Sequence, residues 1–142
     1  PNYIDSIPAP LKAMFDRMAD AIHCQMFYGK YGCSVCTAGG GNHGPVVEHM
    51  NHALSSLGAI TVGGVGVAMK DGEEALSTGI RDSVELGRQL VSSIRGECSY
   101  PEQEAALLQR RDYFRQLVLW NKDTWTHEYD WYAQMGWLTP EQ

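Results

Sequence analysis

The sequence predicts an α/β fold in which a small parallel sheet is flanked by helices. Apolar residues recur at helical spacing in several stretches. Two short, largely apolar runs lie between the first three of these stretches, and turn residues punctuate each change. The resulting order is helix, strand, helix, strand, helix, helix, and strand–helix–strand units of this kind build parallel sheets.

Each element has its own warrant. Over 8–22, Leu11, Met14, Phe15, Met18, Ala19 and Ile22 form one apolar face, Pro8 and Pro10 suit a first turn, and Ser6 is the expected N-cap. Gly29 and Gly32 mark a loop, and 33–37 (Cys33, Ser34, Val35, Cys36, Thr37) reads as a buried strand. Pro45 opens a second helix with Val46, Val47, Met50, Ala53, Leu54 and Leu57 apolar, and Gly58 closes it. A second strand covers 59–69, where Gly63, Gly64 and Gly66 permit a bend or the close approach of a neighbour. Asp71 and Gly72 break it. Helices follow over 73–95 and 102–120, and a short helical or irregular stretch covers 121–136. Two glycine-rich strands offer little surface for four amphipathic helices.

Composition excludes several classes. The chain has 142 residues, 44% hydrophobic and 20% charged, the balance of a globular domain, and its net charge is −6. An acidic chain without a Lys/Arg cluster lacks the footprint of a nucleic-acid or membrane-surface binder. No apolar run approaches the ~20 residues of a membrane span. Four unevenly spaced cysteines do not make a disulfide scaffold, and with no targeting segment a cytoplasmic setting is expected.

The motif that best suits a ligand is Gly39-x-Gly41-x-x-Gly44, set between a strand and a helix. Glycines there allow positive φ and bring backbone N–H groups to a ligand at the carboxyl end of a strand. The acidic partner of a dinucleotide fingerprint does not fit, because Asp71 comes 27 residues after Gly44. Cys33 and Cys36 lie three apart on a strand and point to opposite faces, so they are expected to be buried structural thiols. His49 and His52 flank the apolar stripe of the second helix and are expected to face solvent or a subunit contact. No catalytic triad and no metal site is expected. The tail carries Trp120, Trp125, Tyr129, Trp131, Tyr132 and Trp137, which suits either a subunit contact or packing on its own domain.

The opening segment, Pro1 to Arg17, has the pattern P-x-Y-x-x-x-x-x-x-x-L-K-x-x-x-D-R and resembles the NADPH-dependent FMN reductase family, in its iron–sulfur-flavoprotein-like branch. Thr37-Ala38-Gly39-Gly40-Gly41 resembles that family's second flavin loop, and the tail from Asn121 to Trp137 is similar to the family's C-terminal tail. The resemblance implies a flavodoxin-like three-layer parallel sheet lacking its first strand–helix units, with residues 1–142 forming the carboxyl-terminal part of a longer domain. It implies FMN as cofactor and NAD(P)H as electron donor. Pro1, Asn2, Tyr3 and Ile4 would line the ring, with Tyr3 stacking on it, and Asp5 and Ser6 would sit at the edge of that loop. Thr37, Ala38, Gly39, Gly40 and Gly41 would offer backbone groups to its other side. Lys12 and Asp16 are expected to form a helix-surface ion pair. The function implied is an FMN-dependent oxidoreductase acting on a small electron acceptor (a flavin, a quinone or another), as a homo-oligomer, dimer or tetramer. The shortage of strands sustains an alternative: a non-catalytic structural half that needs an upstream segment or a second subunit to complete its fold.

Overall fold

A computed structural model describes residues 1–139. The elements are α1 (Ala9–Asp16), α2 (Ala19–His23), β1 (Tyr31–Ala38), α3 (His43–Ser56), β2 (Ile60–Ala68), α4 (Gly72–Ile94), α5 (Pro101–Trp120) and α6 (Thr126–Gln134), with a 3-10 turn at Met69–Asp71. β1 and β2 pair in parallel as a two-stranded sheet, from Tyr31 opposite Ile60 to Ala38 opposite Ala68.

The two faces of this ribbon are occupied differently. Ser34 and Cys36, with their partners Gly64 and Gly66, face α3. A Cβ on Gly64 would stand 2.3 Å from Val47 Cγ1, and one on Gly66 would stand 2.1 Å from the His43 ring. The glycines of β2 are thus the positions where α3 sinks onto the sheet. Ile7, Cys36, Val46 and Val47 form the core on this side, and Leu11 and Phe15 of α1 pack against it. Ser34 Oγ donates to Asn51 Oδ1 at 2.7 Å, and Asn51 Nδ2 donates to Gly63 O at 3.1 Å. One polar chain therefore ties β1, α3 and β2 together. On the opposite face α4 crosses at Gly79, where a Cβ would stand 2.1 Å from Val67 Cγ2. The outer edge of β2 is closed by α5: Thr61 N–H donates to Gln103 Oε1 and Gln103 Nε2 donates to Thr61 O, both at 2.9 Å. A side-chain amide here imitates a neighbouring strand.

Three expectations change. The helix predicted over 8–22 breaks at Arg17 and Met18, whose N–H groups bond three residues back, to Met14 and Phe15. Periodicity does not register this break, because apolar spacing continues through it into α2. Ser6 does not cap α1, which begins after Pro8 with no side-chain cap; Ser6 pairs with Tyr3 instead. Cys33 is half-buried and not fully buried, because the β1–β2 register shifts between Gly32 and Ser34; Cys36 is buried as expected. Gly58 does close α3, with φ +104° and the Gln25 carbonyl oxygen 3.0 Å from a Cβ position.

The aromatic tail packs on its own chain. Tyr132 and Val118 are fully buried and Trp137 nearly so, surrounded by Phe114, Trp125, Tyr129 and Trp131. Trp131 Nε1 donates to Cys24 O at 2.8 Å and Tyr132 Oη to His23 O at 3.1 Å. The Arg111 guanidinium lies over Tyr28 at 5.1 Å and over Trp137 at 4.8 Å. Trp120 alone of the tail tryptophans stays exposed, at 88%.

Two glycines of α4 separate close approach from mere helix weakening. Gly79→Ala forces a methyl onto Val67 and is expected to cost about 1–3 kcal/mol. Gly87→Ala meets nothing within 4 Å and is expected to stabilise by up to about 1 kcal/mol, from helix propensity alone. Equilibrium urea unfolding of the two variants reads both signs.

Candidate functional site

The two segments singled out by sequence lie far apart in the chain and meet at the carboxyl end of β1. Asn2 N–H donates to Thr37 O at 2.7 Å, and Asn2 Nδ2 donates to Gly41 O at 2.8 Å. Asn2 therefore joins the opening loop to the glycine loop. A third bond, Lys70 N–H to Gly39 O at 3.0 Å, anchors the glycine loop to the end of β2.

The opening loop is a tight turn. Tyr3 N–H bonds Ser6 O at 3.1 Å and Ser6 N–H bonds Tyr3 O at 3.2 Å. Ile4 and Asp5 between them have φ +51° and +55°. Positive φ at both central residues is the signature of a type I′ turn, which ordinarily takes Asn or Gly. A β-branched Ile in that region is strained, and such strain is retained where the surroundings impose it. The strained residue is also fully exposed: Ile4 is 100% accessible and Tyr3 is 63%. An apolar pair is held out into solvent beside the glycine loop.

The glycine loop works differently from expectation. Gly39, Gly40, Gly41 and Gly44 do not adopt positive φ; Asn42 does, at +56°, where it begins α3. Glycine serves here by leaving space. Among the described residues nothing lies within 4 Å of a Cβ on Gly39 or Gly40, and the neighbour at Gly41 is Lys70 Nζ, at 4.0 Å. The carbonyls of Thr37, Gly39 and Gly41 each accept an internal bond, whereas the N–H groups of Gly40 and Gly41 donate none among the described residues. Ala38 is buried and offers only backbone, whereas the Thr37 side chain is exposed. Pro1 and Asp5 are exposed at the rim. Asn2 Oδ1 is buried without a partner.

Sequence reasoning had no means to see two further residues. Lys70 brings an ammonium against the loop, and its place follows from the β2 end meeting Gly39. His43 is seated by Gly66 at the start of α3. His49 and His52 are exposed on α3, as expected. The Lys12–Asp16 ion pair forms on the surface of α1. Elsewhere, burial and the nearby charges of Glu128 and Asp20 push the Cys24 thiol up to about 12, which keeps it protonated and unreactive at neutral pH.

The geometry suits the edge of a flat, partly apolar ring. It offers an exposed aromatic and an aliphatic side chain, two backbone donors, an open floor of glycine and a buried amide oxygen that lacks a partner. Ile4→Gly is expected to raise stability by up to about 1 kcal/mol by relieving the turn. Asn2→Ala, which removes the side-chain bond to Gly41 O, is expected to lower it by about 0.5–1.5 kcal/mol. Urea midpoints of the two variants test both.

A family model for NADPH-dependent FMN reductase matches residues 1–74. The match takes in both loops, α1 to α3, both strands and the first turn of α4. It lies in the N-terminal part of the chain, and the tail at Asn121–Trp137 lies outside it. No curated protein matches the chain.

Proposed function

The chain belongs to the NADPH-dependent FMN reductase family, and from that premise we propose that it is an FMN-dependent NAD(P)H oxidoreductase whose two joined loops seat the isoalloxazine ring. The observation that carries this reading is the pair of Asn2 bonds to Thr37 and Gly41, which fuse the opening turn and the glycine loop into one ledge. Tyr3 and Ile4 would cover the ring from one side, and Gly40 and Gly41 N–H groups would bond its polar edge. Lys70 Nζ, beside Gly41, would add positive charge near that edge. When bound, FMN would supply two-electron redox chemistry between NAD(P)H and a small acceptor such as a flavin or quinone. The residues of this chain orient and polarise, and the reading asks no side chain of the ledge to act as a general acid. The cysteines are free, which suits a reducing, cytoplasmic setting. Among the described residues no helix is long and apolar enough to cross a membrane.

Titration of the purified chain with FMN tests the proposal. Binding is expected to perturb the flavin visible band and quench its fluorescence. Tyr3→Ala and Asn2→Ala are each expected to weaken binding at least several-fold. A flavin spectrum unchanged by saturating protein would sink the reading.

A second reading rests on a separate observation. Val35 is 54% exposed, and Ile80, Val84, Val91 and Ile94 along one flank of α4 are 45–63% exposed. Their spacing along the helix makes a continuous apolar stripe, and with Val35 and Val67 it borders an open groove of about 410 Å³. We propose that this face is covered in a homo-oligomer, a dimer or tetramer, or by a further segment, so that the chain acts as a structural half. Light scattering after gel filtration is expected to give a multiple of the chain mass. Val84→Glu is expected to reduce it. A monomer that melts cooperatively would count against this reading.

A further inference from the structure

A cluster of ligating side chains lies away from the ledge, where α2 meets α6. Asp20 and His23 are three residues apart on α2, so they share one face of that turn. Glu128 reaches them from α6, 105 residues beyond His23. One carboxylate oxygen from each acid and one imidazole nitrogen all lie within 4.8 Å of one another.

The Glu128 side chain is only 9% exposed, and its one polar partner among the described residues is His23 Nδ1, 3.4 Å from Oε1. A charge-assisted hydrogen bond runs to about 2.7–2.9 Å, so this contact is long for one. It matches the edge of a tetrahedral site: two ligands about 2.0–2.2 Å from an ion stand about 3.4 Å apart.

The ligands are also held in place. The His23 ring stacks on Trp125, centroids 4.6 Å apart and planes 10° apart, and leans on Phe114 at 5.4 Å. The main chain at His23 and Cys24 is pinned by Tyr132 Oη and Trp131 Nε1. Support of this kind fixes ring orientation before an ion arrives. Asp20 is exposed and stands on the solvent side.

We propose that Asp20, His23 and Glu128 bind a divalent transition-metal ion of the zinc type. One imidazole nitrogen with two carboxylate oxygens selects zinc over magnesium or calcium, which take oxygen alone. The ion ties α6, which lies beyond the family match, to α2 within it. None of its ligands belongs to the flavin ledge, so this site and the flavin reading fail or succeed separately.

Isothermal titration of the chelator-treated full chain with zinc chloride tests the site. One equivalent is expected to bind. Asp20→Asn, at an exposed position that leaves folding intact, and His23→Gln are each expected to weaken binding at least tenfold. Zinc is expected to raise the melting temperature of the parent chain and not that of His23→Gln. His49→Gln combined with His52→Gln, on exposed α3 positions, is expected to leave the affinity unchanged. Absence of saturable binding, binding that Asp20→Asn leaves intact, or binding abolished by the His49/His52 pair would each overturn the proposal.

Discussion

The structure depends on how closely α3 can approach a sheet of only two strands. Helix-to-sheet spacing is set by the side chains between them, and β2 removes those side chains at Gly64 and Gly66. Val47 and the His43 ring occupy the space that Cβ atoms would fill. With so little sheet to cover, this proximity concentrates the core into a small volume around Ile7, Cys36, Val46 and Val47. The buried chain from Ser34 through Asn51 to the Gly63 carbonyl then fixes the register of helix and strands in a way that apolar contact alone does not. Gln103 completes the arrangement by pairing with the otherwise open edge of β2.

The ledge inherits its position from that core. The end of β1 delivers Thr37 and the glycines, the end of β2 delivers Lys70, and the core residue Ile7 holds the opening turn beside them. Strain in the turn is concentrated at Ile4, which makes no buried contact to compensate it. The surrounding bonds, Tyr3 to Ser6 and Asn2 to Thr37, keep the backbone in a conformation that an exposed isoleucine does not choose for itself. A rigid turn of this kind lowers the entropy lost when a flat ligand settles on it.

The two ends of the chain are coupled through α2. The carbonyls of His23 and of Cys24 just after it accept bonds from Tyr132 and Trp131, the His23 ring stacks on Trp125, and Arg111 bridges Tyr28 and Trp137. The aromatic tail thereby supplies a second core, separate from that of the sheet. Its packing leaves uncovered the side of α4 that borders Val35 and Val67, so both helices that press on the sheet through glycines do so closely, and α4 keeps an open apolar flank.

Most elements were legible in the sequence, because amphipathic spacing and turn residues are local signals. Both strands, the α3 end at Gly58, the long α4 and the extent of α5 all follow from them. The opening pattern and the glycine loop marked the ledge by residue type. Local signals do not carry the rest. The break at Arg17 leaves the apolar spacing undisturbed. The positive φ in the two loops falls on Ile4, Asp5 and Asn42, not on the loop glycines. The meeting of Asp20 and His23 with Glu128 spans more than a hundred residues. Sequence determines what a segment prefers over a few turns; only the tertiary structure decides which distant groups share a site, since that depends on which helices approach, how closely, and on which face.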